Sequence, residues 1–145
     1  MLSEPVARKR APSTAIDAKF SIPFSVACAF IDAEVTLDSF APAKLKDADV
    51  LAVAQRVDFD FREQGMTATS GALEVELNNG RQFSADIHQA LGHPSRPLDD
   101  ARLIAKFVDC VGRAAEPMTT ADAHALASRI LKVDEASAMD GALFE

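Results

Sequence analysis

The residues best suited to chemistry lie near the start of the chain, in Arg8-Lys9-Arg10 and then Asp17-Ala18-Lys19-Phe20-Ser21-Ile22-Pro23-Phe24. Arg10, Lys19 and Ser21 place two cations and a hydroxyl at the entrance to an apolar helix. Such groups can hold a small carboxylate through charge-assisted hydrogen bonds. A flexible basic arm leading into a core helix explains the same residues, and both readings stand at this point.

Other constellations are weaker. His88 and His93 lie five apart, across a strand end and a loop, and no cysteine is local to either. Zinc would need such a cysteine or a third ligand beside them, so they read as surface or loop histidines and no metal is expected. His124 falls beside the polar face of the last helix. Cys28 and Cys110 each sit among apolar neighbours and read as two buried, reduced thiols rather than nucleophiles. The acidic pairs Asp58/Asp60 and Glu74/Glu76 each share one face of a strand, where carboxylates most often serve solubility. The six glycines form no phosphate-cradling pattern, so no cofactor is expected. The sequence has no Tyr, which excludes any mechanism in which this chain supplies a phenol.

Charge narrows the partners. The formal net charge is −7 and the pI is about 4.9, the reverse of the basic footprint that nucleic acid or an anionic membrane requires. No apolar run approaches the ~20 residues of a membrane span, and the first residues lack the apolar core of a signal peptide. A cytoplasmic protein is the expectation. Residues 1–18, with Pro5 and Pro12, read as an extended basic arm. Residues 134–145 carry Asp134, Glu135, Asp140 and Glu145 and no base, and read as a solvated acidic tail. Residues 19–133 then form one domain.

Several elements must position these groups. Residues 23–33 are apolar nearly all round and read as a helix buried on most sides, begun by Pro23. A short helix is expected over 46–55, with Val50, Leu51 and Ala54 inward. Val57, Phe59 and Phe61 alternate with Asp58, Asp60 and Arg62, the period of a half-buried strand. Leu73, Val75 and Leu77, then Phe83, Ala85 and Ile87, alternate likewise around Asn79-Gly80. That dipeptide predicts a hairpin whose two central residues have positive φ. Asp99 caps a helix to about Ala114, with Ala101, Ile104, Phe107 or Val108, and Val111 in its stripe. Thr119 to Asp122 starts a last helix with Ala123, Leu126, Ala127 and Ile130 on one face. The fold class is α+β, a small antiparallel sheet with an Asn-Gly hairpin flanked by helices.

The same segments carry a resemblance. Glu4-Pro5, Arg8 to Pro12 and Asp17 to Ala27 (DAKFSIPFSVA), followed by Asn79-Gly80-Arg81, Gly92-His93-Pro94, Pro97-Leu98 and Lys106-Phe107, resemble the C-terminal half of the 2-methylcitrate dehydratase family, MmgE/PrpD. The likeness runs over roughly residues 4–131. It implies soluble, usually dimeric enzymes that act on small polycarboxylates without a metal: 2-methylcitrate dehydratases, aconitate decarboxylases and an iminodisuccinate epimerase. It further implies that a larger helical domain supplies most catalytic His and Lys residues. The smaller α+β domain then serves as a lid over a cleft between the two.

Two departures shape the expectation. The chain begins where the second domain of the family begins, and Phe24 stands where a substrate-facing Tyr is expected. Arg10, Lys19, Ser21 and Phe24 remain the substrate-binding candidates that the resemblance and the residue types together mark. The chain is thus expected to be a lid domain without turnover of its own, or one subunit of a split lyase or isomerase completed by a separate helical partner. A small-carboxylate-binding or oligomeric interaction module is the third reading. The apolar helix at 23–33 favours a partner, and a dimer or larger assembly is expected.

Overall fold

The computed structural model describes residues 5–60, 67 and 69–133. Among these, six helices and one two-stranded antiparallel sheet make an α+β protein. The chain divides at Arg62/Glu63 into two compact units, where the sequence suggested one domain over 19–133. The expected acidic tail at 134–145 lies outside the described residues.

The first unit is helical. Helices α1 (Val6–Arg10) and α2 (Ala15–Lys19) stand where an extended arm was expected. Pro5 takes the N-cap position of α1, where its missing N–H costs nothing, and Pro12 falls just beyond the helix end. The prolines therefore bound a short helix instead of forbidding one. Helix α3 (Ile22–Asp32) begins one residue before Pro23, capped by the Ser21 hydroxyl, which accepts from Phe24 N at 3.1 Å. It ends on Ala33, an alanine held in the left-handed region at φ 63°.

Helix α4 (Ala48–Gln55) is capped by Asp47, whose carboxylate accepts from Asp49 N at 3.0 Å and Val50 N at 3.3 Å. Phe24, Ala27 and Cys28 on α3 share one face at i, i+3, i+4 spacing and meet Val50 and Ala54 of α4, with Ala18 of α2 completing the core. Phe40, Leu45, Leu51 and Val53 pack against it. Full burial of Phe24 and Val50 contributes about 1.5–3 kcal/mol each. Contrary to the expectation, helix α3 is not buried on most sides, because Phe30 and Ile31 on its other side are exposed.

Residues 57–60 do not join a strand. Val57 and Phe59 are half-buried and Asp58 and Asp60 exposed, so the alternation is real. The Val57 carbonyl, however, is taken by the Arg10 guanidinium and not by a neighbouring strand. The rest of that expected strand, Phe61 and Arg62, lies outside the described residues.

The second unit holds the hairpin. Strands β1 (Gly71–Glu76) and β2 (Gln82–Ile87) pair with Leu73 opposite Ala85 and Val75 opposite Phe83. One face is thus Leu73, Val75, Phe83, Ala85 and Ile87, the other Glu74, Glu76, Ser84 and Asp86. The turn differs in type from the expectation. Gly80 alone has positive φ, at 80°, while Gly80 N donates to Leu77 O and Leu77 N to Arg81 O, each at 2.9 Å. This is a turn closed by a glycine bulge, in which Asn79 instead accepts from Arg81 N through its side chain at 3.1 Å.

Helices α5 (Asp100–Val111) and α6 (Thr120–Ile130) pack on each other. Asp99 and Thr119 cap them as the sequence indicated, accepting from Arg102 N at 2.8 Å and Asp122 N at 3.2 Å. Buried Ala123 and Ala127 let the helices approach, and Ile104, Phe107, Val108 and Val111 form the half-buried stripe of α5. Cys110 lies off that stripe and is exposed, which corrects the expectation of two buried thiols; Cys28 is buried.

Candidate functional site

The basic segment does not act as one cluster. In α1, successive residues point about 100° apart, so Arg8, Lys9 and Arg10 meet different surroundings. Arg8 Nη2 reaches both oxygens of Asp17 at 3.0 Å, and Asp17 also accepts from Thr14 Oγ1 at 3.0 Å. The Arg8 guanidinium, then the Thr14 hydroxyl, hold the Asp17 carboxyl below its ordinary value. Lys9 is buried, and its carbonyl accepts a hydrogen bond from the Ser21 hydroxyl.

Arg10 turns the other way. Its Nε and Nη2 donate to Val57 O at 3.3 and 2.8 Å, just beyond the C-terminal end of α4, and Nη2 also donates to Asp58 Oδ1. Carbonyls at a helix C-terminus carry negative partial charge, so this is a favourable seat for a cation. The Arg10 side chain is 22% exposed and the Asp58 side chain 95%.

The other candidates separate. Ser21 is 2% exposed and committed at both ends of its hydroxyl, to Phe24 N and Lys9 O. Phe24 is fully buried in the α3–α4 core. Lys19 closes α2 and is exposed. The structure therefore brings Ser21, Phe24 and the Lys9 backbone together, and leaves Arg10 at the junction with Val57–Asp58.

Sequence reasoning missed the partner of Arg10 and a second ionic node. Lys44 Nζ lies 2.8 Å from Asp32 Oδ1, at the end of α3, and 2.9 Å from Asp47 Oδ2, at the cap of α4. Asp32 and then Asp47 raise the Lys44 ammonium, while Lys44 and then the Val50 N–H lower the Asp47 carboxyl. Cys28 borders this node; its thiol lies 3.9 Å from Ser39 O and is raised chiefly by burial and then by Asp32. Only the Asp47–Lys44 spacing of three residues offered a local signal. The Asp32 contact and the Arg10–Asp58 pair depend on tertiary folding.

In the second unit, Gly92 at φ 94° allows a closed loop in which Arg96 N donates to His93 O at 2.7 Å and Gly92 N to Arg96 O at 2.9 Å. His93 Nδ1 accepts from Ser95 N at 3.2 Å and contacts Ser95 Oγ at 2.9 Å, so the imidazole serves the loop. Among the described residues, no three His, Cys, Asp or Glu side chains converge as a metal would need, and no helix is long and apolar enough to cross a membrane.

Fold and site together define an α+β protein in which Ser21 caps the apolar helix α3 and the cations before it take separate seats, Arg8 on Asp17 and Arg10 on Val57 and Asp58. The family model for the MmgE/PrpD C-terminal domain matches residues 3–131, and the chain belongs to that family. No curated protein matches it.

Proposed function

We propose that this chain forms the smaller, substrate-covering part of a polycarboxylate site of the 2-methylcitrate dehydratase type, and that a helical partner supplies the catalytic groups. The observation that carries this reading is the family match over residues 3–131. Its cationic entry segment, α1 to the start of α3, fits a role in holding a carboxylate. The residues themselves argue against turnover by this chain alone. Phe24 lacks a hydroxyl and is buried, Ser21 is spent on a helix cap, and Cys28 is a buried thiol.

A partner is also favoured by exposed apolar side chains in the first unit, among them Ile16, Phe20 and Phe30. These suit either a helical domain in trans or a second copy of the chain. A cytoplasmic setting accords with small-acid chemistry of this type. The test incubates the pure chain with 2-methylcitrate and cis-aconitate, alone and with a helical MmgE/PrpD domain from the same source. The expected result is no turnover alone and a complex on co-purification. Dehydration, decarboxylation or epimerisation by the chain alone would overturn the proposal.

A further inference from the structure

We infer that Arg10 is a carboxylate-binding position whose binding edge Asp58 occupies from within the chain, so that ligand and Asp58 compete for one guanidinium. The inference rests on the polycarboxylate reading above and adds to it a specific anchor and its internal competitor.

The guanidinium is used unevenly. Its Nε/Nη2 edge is fixed on the Val57 carbonyl, with contacts of 3.3 and 2.8 Å. Its Nη1/Nη2 edge carries only Asp58 Oδ1, held through Nη2, and Nη1 makes no hydrogen bond among the described residues. A planar carboxylate prefers to meet such an edge with both oxygens, and two parallel bonds are stronger than one. The side that a bidentate ligand needs is therefore half-filled by a chain carboxylate in single contact.

Exposure sets which interaction yields. Arg10 is largely buried at its seat beside the end of α4, whereas Asp58 is 95% exposed and belongs to no helix or strand. An exposed ion pair is of the weak kind, worth at most about fivefold in an equilibrium constant. The Val57 contact uses the opposite edge and need not break, so an entering carboxylate displaces Asp58 while the guanidinium stays aimed. Asp58 keeps that edge neutralised, and its loss leaves Arg10 open to ligand.

Citrate is the probe, titrated by calorimetry at fixed ionic strength into the wild-type chain and into Asp58→Asn, Arg10→Lys and Arg10→Gln. Sulfate is the control for a merely anionic site. Asp58→Asn is expected to bind citrate about two- to fivefold more tightly than wild type, the range that loss of an exposed competing pair allows. Arg10→Lys, which keeps the charge but loses the fork, and Arg10→Gln are expected to weaken it. Wild-type binding that neither Asp58→Asn nor Arg10→Lys alters would overturn this inference and leave the polycarboxylate reading standing. No citrate binding by wild type or Asp58→Asn would overturn this inference, and the polycarboxylate reading falls separately if the chain alone turns over 2-methylcitrate or cis-aconitate. Sulfate tightened as much as citrate by Asp58→Asn would refute a carboxylate-specific edge.

Discussion

Ser21 separates a structural role from a ligand role, because the two assign opposite consequences to removing its hydroxyl. In the fold, that hydroxyl accepts from Phe24 N at the start of α3 and donates to Lys9 O from α1. Ser21→Ala removes the cap, which costs about 1 kcal/mol with a range of about 0.5–2. It also strands the Lys9 carbonyl at a place where Ser21 is only 2% exposed, and an unmet buried acceptor costs about 1–3 kcal/mol. The two losses share one atom and do not add in full, so about 2–3 kcal/mol is expected. That is a large part of the ~5–15 kcal/mol that holds a folded domain together. Ser21→Thr restores a capping hydroxyl and should recover most of it. The sequence lacks Trp and Tyr, so urea unfolding is best followed by far-ultraviolet circular dichroism, to which the helices of the first unit contribute. A loss below about 0.5 kcal/mol in Ser21→Ala, within the scatter of surface changes, would refute the reasoning.

Three further outcomes follow from local geometry. Ala33→Gly should stabilise the chain by about 0.5–1 kcal/mol, because a left-handed alanine costs roughly 1–2 kcal/mol and glycine returns only part of that as unfolded-state entropy; an unchanged or lower urea midpoint would contradict it. Ellman's reagent should label exposed Cys110 promptly and buried Cys28 only in denaturant, and equal rates for both thiols in the folded chain would contradict the assigned burial. Asp17 and Asp47 are both held below the ordinary value of 3.8, so the unfolded chain takes up protons first as pH falls. Their contribution is therefore present above about pH 4 and is lost as pH falls through the depressed folded values. The Asp17→Asn, Asp47→Asn double variant should show a flatter acid limb of stability, and an unchanged limb would count against both ion pairs.

What the sequence disclosed well was carried by short spacings. Asp99 and Thr119 were legible as helix starts because a cap bonds to a backbone three residues on. The hairpin was legible because alternation on both sides of Asn79-Gly80 sets its faces. Its turn type was not, since Asn-Gly serves both a two-residue turn and a glycine bulge. The strand expected from Val57 onward is absent over the described residues 57–60 for a different reason. Alternation reports which side chains are covered, and Val57 and Phe59 can be covered without a strand partner when an arginine holds the backbone between them.

The conformation of the basic segment was misread through one local assumption. An extended chain would have presented Arg8, Lys9 and Arg10 as a basic patch able to surround an anion. A single helical turn divides them instead, since neighbours one and two apart do not share a helix face. Arg8 goes to Asp17, Lys9 goes inside, and Arg10 crosses to the end of α4. On the proposed reading, anion binding by the segment rests on one guanidinium with a fixed edge and a half-used one, not on summed charge. Such a site discriminates by shape: a planar carboxylate gains from the paired N–H groups, and an anion that cannot meet both of them gains much less.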